Sequence, residues 1–174
     1  MSVLPIRVYG DPILRKTSKP VERIDDSILA FALDLLETMK DADGVGLAAV
    51  QVGRPIRMLV ADAGSRHPKG ASKIYINPEI VEAKGEWIFD EGCLSVPGAT
   101  AEITRPEEVL VRFVDGKGKP REERYNQMLA RVLQHEIDHL DGKLFIDYLN
   151  PLHRSMVLRK LRAYIKETGK AASL

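Results

Sequence analysis

Residues 134–140 read Gln134-His135-Glu136-Ile137-Asp138-His139-Leu140. Around them Met128, Leu129, Val132, Leu133, Ile137 and Leu140 recur at helical spacing. The pattern predicts a helix from about Tyr125 to Leu140, apolar on much of its circumference and therefore buried. Residues four apart lie one above the other on a helix, so His135 and His139 can grip one metal ion from the same face. Glu136 is turned away by about 100° and can reach a water on that metal without ligating it. Two buried imidazoles beside a buried carboxylate are costly to hide without a metal or a full set of partners.

A catalytic metal usually takes three protein ligands and keeps one position open. The longer metalloprotease pattern H-E-x-x-H-x-x-G-x-x-H fits as far as Gly142 and then fails, because its last position is Phe145. Glu167 stands among basic residues and reads as a solvated charge, while His67 and His153 have loop or terminal settings. Cys93, the single cysteine, lies in the turn-like stretch Asp90-Glu91-Gly92-Cys93-Leu94-Ser95-Val96-Pro97. It suits a ligand, but a lone cysteine also suits a small buried hydrophobe, and spacing leaves both readings open.

Outward from the helix, Ile28, Phe31, Leu35, Leu36 and Met39 predict a first helix over Asp26 to Lys40, capped by Asp25. Short β-prone runs follow at Ile56–Ala61, Ser72–Ile76, Ile80–Lys84 and Val109–Asp115. The turn Asp115-Gly116-Lys117-Gly118 would return Pro120–Tyr125 antiparallel. A last helix starts after Pro151 and stops before Gly169. Strands followed by a buried helix indicate an α+β fold: antiparallel or mixed sheets packed around a central helix carrying H-E-x-x-H, with a C-terminal helix. We expect residues 1–174 to form one catalytic domain.

With 44% hydrophobic and 29% charged residues, the chain has the composition of an ordinary soluble globular protein. A single cysteine permits no internal disulfide and suits a reducing compartment. The first residues lack the pattern of a signal peptide, and no apolar run approaches the roughly 20 residues of a membrane helix. A cytoplasmic enzyme with no membrane contact is the expectation. The formal net charge of +1 hides an asymmetry, since residues 151–174 hold six basic side chains and one acid. That basic C-terminal helix reads as a solvated face or as a docking surface for ribosomal RNA.

Gly44-Val45-Gly46-Leu47-Ala48-Ala49-Val50-Gln51-Val52-Gly53 looks at first like a dinucleotide fingerprint. Such a fingerprint follows a strand and opens a helix, whereas here a helix precedes and strand-like sequence follows, so no dinucleotide is expected. Close backbone packing around the glycines fits better. Gln51 is the one polar side chain in this apolar run, either an ordinary core amide or an N–H donor to a polarised carbonyl oxygen.

Taken together and in this order, Gly44-Val45-Gly46-Leu47-Ala48-Ala49-Val50-Gln51, Glu91-Gly92-Cys93-Leu94-Ser95 and Gln134-His135-Glu136-Ile137-Asp138-His139 resemble the three motifs of peptide deformylases. The resemblance runs from Gly10-Asp11-Pro12 to Leu144-Phe145-Ile146-Asp147. It implies Cys93, His135 and His139 as ligands of one divalent metal, Fe2+ foremost, with Zn2+, Ni2+ or Co2+ able to substitute. It implies Glu136 as general acid/base, and Gln51 with the Leu94 backbone N–H as oxyanion donors. Gly46 would bond the substrate backbone, and Val45, Met128, Val132 and His135 would line the pocket for a methionine side chain. The reaction implied is hydrolysis of the N-formyl group from the initiator methionine of nascent polypeptides. One departure is Gln127, where the family often has glycine. Two rivals are an H-E-x-x-H endopeptidase and a metal-free binding protein on the same fold.

Overall fold

Asp25 accepts hydrogen bonds from the backbone N–H groups of Ser27 and Ile28 and so starts α1 (Asp26–Asp41). In the computed structural model, which describes residues 2–62 and 72–169, α1 buries Ile28, Phe31, Ala32, Leu35 and Met39. The chain then enters three short steps, β1 (Gly46–Ala48), a 3-10 turn at Ala49–Val52 and β2 (Met58–Ala61). Beyond these lie β3 (Lys73–Lys84), β4 (Trp87–Cys93), β5 (Val96–Arg105), β6 (Glu108–Val114) and β7 (Pro120–Asn126). Two further helices follow, α2 (Gln127–Leu140) and α3 (Pro151–Thr168), with a 3-10 turn at Phe145–Tyr148 between them.

Among the described residues the strands form a five-stranded antiparallel sheet in the order β1-β2-β3-β6-β7 and a separate β4–β5 hairpin. The unbroken apolar run of β2 is explained by its position, since Met58 and Val60 join the α1 core while Leu59 and Ala61 join the α2 core. The sheet is therefore sandwiched between α1 and α2. A third core unites α3 with the hairpin, as Val157 and Leu161 pack with Val96, Ile103, Leu144, Phe145 and Ile146. The α+β expectation holds, with antiparallel pairing throughout the named strands and one isolated parallel bridge, Lys19 to Ile56.

Some boundaries move for identifiable reasons. The two runs Ser72–Ile76 and Ile80–Lys84 are one strand, β3, whose register shifts between Ile76 and Glu79. Asn77 takes φ +51° at that bulge. Its carboxamide bonds the backbone N–H and carbonyl of Val21, at 2.8 and 2.9 Å. Tyr125, expected where the returning strand meets the central helix, lies within β7 opposite Val109, and the strand runs on to Asn126. The turn into α2 falls at Gln127, whose φ is +49°, a conformation in which glycine is at ease.

Gly142, the residue that carried the metalloprotease pattern its last step, ends α2 rather than serving chemistry. Its φ is +73°, and a Cβ there would stand 2.6 Å from the Arg15 carbonyl oxygen. Gly142→Ala is expected to lower stability by about 1–3 kcal/mol, from left-handed strain and displacement of the N-terminal arm. Urea unfolding of the two proteins measures it.

Candidate active site

Helix α2 is buried because its apolar residues meet the sheet on one side, and this sets the opposite side against the β4–β5 hairpin. On that side His135 and His139 bring their Nε2 atoms to 3.2 Å. Cys93 closes β4, and its Sγ lies 3.3 Å from His139 Nε2. The three donor atoms lie within 4.8 Å of one another. Two imidazole nitrogens and one sulfur around a single point suit a divalent ion of borderline softness.

Burial opposes charge on His135, but Cys93 and Glu91 outweigh it and raise the His135 pKa well above the ordinary imidazole value. Burial, aided by His135 and Arg105, holds His139 well below that value. Burial also pushes Glu136 up to about 7, with Glu91 adding to the shift while His135 and Arg105 oppose it. One Glu136 carboxylate oxygen, Oε2, is buried without a hydrogen-bond partner among the described residues.

Behind His135 lies a polar network that the motifs hardly advertise. Glu91, 6% exposed, stands 2.5 Å from His135 Nδ1. It receives Arg105 through Nη2 at 2.8 Å and Nε at 2.9 Å, and Arg131 through Nη1 at 2.9 Å. Arg105 reaches on to Asp138 at 2.8 Å, which Tyr148 also bonds. Arg131 donates to the carbonyls of Ile103 and Trp87, which ties α2 to both hairpin strands. Burial alone would raise the Glu91 pKa, but His135 and Arg105 hold it well below the carboxylate range. Phe145, in the position where the longer pattern needs a third histidine, is buried and stacks on the His135 ring with centroids 6.3 Å apart.

A cavity of about 760 Å³ opens over this cluster. Its lining includes Val45, Gly46, Gln51, Cys93, Leu94, Met128, Val132, His135 and Glu136. His139 lies beneath, 1% exposed. Every site residue named from the sequence is thus gathered at one place. Val45 and Met128 stand at the mouth, 54% and 43% exposed. Gly46 is glycine because a Cβ there would meet Glu136 Oε1 and Val132 Cγ1, each at 2.7 Å. The weaker ligand candidates stay outside: His153 and Glu167 are exposed on α3, and His67 falls outside the described residues.

The polypeptide deformylase family model matches residues 3–155. The peptide deformylase of Brucella suis is 48% identical over 163 residues, 93% of each chain. The chain belongs to the polypeptide deformylase family. Two solved deformylase structures agree. That from Legionella pneumophila superposes with a TM-score of 0.92 at 45% identity, over 98% of this chain and 99% of that one. The Ehrlichia chaffeensis enzyme in complex with actinonin gives 0.87 at 38% identity, over 97% and 99%. As a member of the family the chain is a hydrolase, and among its described residues no helix is long and apolar enough to cross a membrane.

Sequence reasoning quoted Glu91 but gave it no task, and it passed over Arg105, Arg131 and Asp138. Arg131 carried a usable signal: it is a charged residue one turn before His135 in a helix read as buried. Arg105 carried none: in the hairpin it lies opposite Trp87, and only its long side chain, folded along the sheet, reaches Glu91. Glu91→Gln leaves two buried guanidinium groups short of their counter-charge, and is expected to cost about 3–5 kcal/mol of stability in denaturant unfolding.

Proposed function

We propose that this chain hydrolyses the N-formyl group from the initiator methionine of nascent polypeptides, releasing formate, with a divalent ion held by Cys93, His135 and His139. The observation that carries this reading is the meeting of those three donor atoms beside the unpartnered Glu136 oxygen on the cavity wall. Thiolate and imidazole ligands accept Fe2+, our first choice, as well as Zn2+, Ni2+ or Co2+. When bound, the ion supplies Lewis acidity, lowering the pKa of a water in the open position and polarising the formyl oxygen.

The protein's own groups do the rest. Glu136 takes the proton that the water gives up as its oxygen adds to the formyl carbon, and passes it to the departing amine. As the formyl oxygen gains charge, the Gln51 side-chain N–H and the Leu94 backbone N–H donate to it. Val45, Met128 and Val132 receive the methionine side chain, and Gly46 bonds the peptide backbone. The strand order supports an extended peptide, since β1 stands at one end of the sheet and can take a further strand at its open edge. Backbone bonding of that kind is nearly indifferent to later side chains, as suits an enzyme that acts on many proteins. A cytoplasmic location fits the single thiol at the metal site, because oxidation would damage both Cys93 and a ferrous ion.

Formate release from formyl-Met-Ala-Ser by anaerobically purified protein, with metal quantified on the same sample, tests the reading. Stoichiometric metal and rapid release are expected, and metal with cleavage of unformylated peptides instead would establish an endopeptidase. Glu136→Gln should keep its metal and lose at least about 100-fold in turnover. Cys93→Ala should lose the metal, and a fully active Cys93→Ala protein would overturn the ligand set.

The basic helix supports a ribosome contact as part of this function. Arg159, Arg162 and Lys166 are exposed on α3, whereas Val157 and Leu161 are core. Charge reversal is therefore a cleaner probe than deletion of the helix. Replacing these three by Glu is expected to weaken ribosome binding at low salt, measured by co-sedimentation, and unchanged binding would remove the contact from the proposal.

A further inference from the structure

Gln51 is 1% exposed, and its carboxamide is held from two sides. The backbone N–H of Ala48 donates to Oε1 at 2.8 Å, which faces the oxygen toward β1 and the nitrogen toward the hairpin. That nitrogen, Nε2, donates to Ser95 Oγ at 3.1 Å. Ser95 is wholly buried, so no water competes for this bond. Nε2 also stands 3.8 Å from Cys93 Sγ, at the wall shared by the ligand cluster and the cavity.

A carboxamide nitrogen carries two hydrogens. Ser95 takes one, and the other faces the Cys93 sulfur across 3.8 Å, a long contact on the cavity side of the ligand cluster. We propose that the Ser95 hydroxyl is a positioning residue: by holding one Gln51 N–H it fixes the amide plane and aims the second N–H at the substrate oxygen that gains charge. This rests on the reading of Gln51 as an oxyanion donor. A donor locked before reaction stabilises developing charge without reorganising, which is where such a donor has its effect. Without the hydroxyl, the N–H that Ser95 holds is buried with no acceptor, because the Cys93 sulfur already faces the other hydrogen. The amide plane would then be free to turn, and its second N–H would lose its fixed direction toward the substrate.

The hydroxyl can be removed with little else disturbed. The Ser95 backbone N–H donates to Cys93 Sγ at 3.4 Å, and its carbonyl accepts from the Tyr9 N–H at 2.8 Å. Both bonds survive in Ser95→Ala. In the metal-loaded enzyme acting on formyl-Met-Ala-Ser, Ser95→Ala is expected to lower kcat about tenfold, less than the 100-fold or more of a deleted oxyanion donor. KM and metal content should stay within about twofold. In a Gln51→Ala background the same substitution should have no further effect, as two residues acting through one donor require. Ser95→Thr, which keeps the hydroxyl, should stay within about threefold of the parent. An undiminished kcat in Ser95→Ala, or an equal loss without Gln51, overturns the proposal.

An independent measurement needs no variant to fold. In the parent, the two Gln51 side-chain amide protons should be inequivalent in NMR exchange, the one bonded to Ser95 being the slower. Equal, rapid exchange overturns the proposal as well. Absence of formate release by the parent would instead strike at the deformylase reading of the site.

Discussion

The carboxylate of Glu91 joins two parts of the protein that the chain builds separately. It belongs to β4, two residues before Cys93, and it binds His135 and Arg131 on α2 and Arg105 on β5. Through these bonds the strand that supplies the sulfur is held in register with the helix that supplies both imidazoles. A buried carboxylate with one cationic partner would gain little over its desolvation cost. With two guanidinium groups and an imidazole it has donors for most of its lone pairs. The Glu91–His135 bond also leaves Nε2 as the atom of His135 that faces Cys93 and His139, so ring orientation and ligand geometry share one cause.

The three cores divide the remaining labour. The sheet between α1 and α2 gives the central helix a rigid apolar backing along its length. The α3 core presses the β4–β5 hairpin from outside and places Phe145 behind His135. Gly46 then lets β1 approach α2 so closely that Glu136 faces the cavity with one oxygen unpartnered. Each of these is a packing constraint first, and the arrangement of chemical groups follows from it.

Much of this was legible in local pattern. The helical spacing around His135 and His139 announced a buried helix with two ligands on one face, because a period near 3.6 residues is a property of adjacent sequence. The same holds for α1 with its Asp25 cap, and for the turn at Asp115 between β6 and β7. The hairpin was not legible as strands. Pro97 and Gly98 look like breakers in β5, and the bulge at Gly92 interrupts the alternation in β4. β1 is too short, at three residues, to show a period.

By itself, then, the sequence determined the fold class, the two histidines and glutamate of α2, and, through the order of three motifs, the company they keep with Cys93 and Gln51. Only the tertiary structure decided how Cys93 meets His139, why position 46 has no side chain, and which charges stand behind His135. It also moved Gly142 from a chemical pattern to a helix stop set against Arg15. The physical reason is distance along the chain: capping and periodicity are local, whereas His135 and Arg131 beside Glu91, Glu136 beside Gly46, and Ser95 beside Gln51 come from other elements that meet only when the cores form.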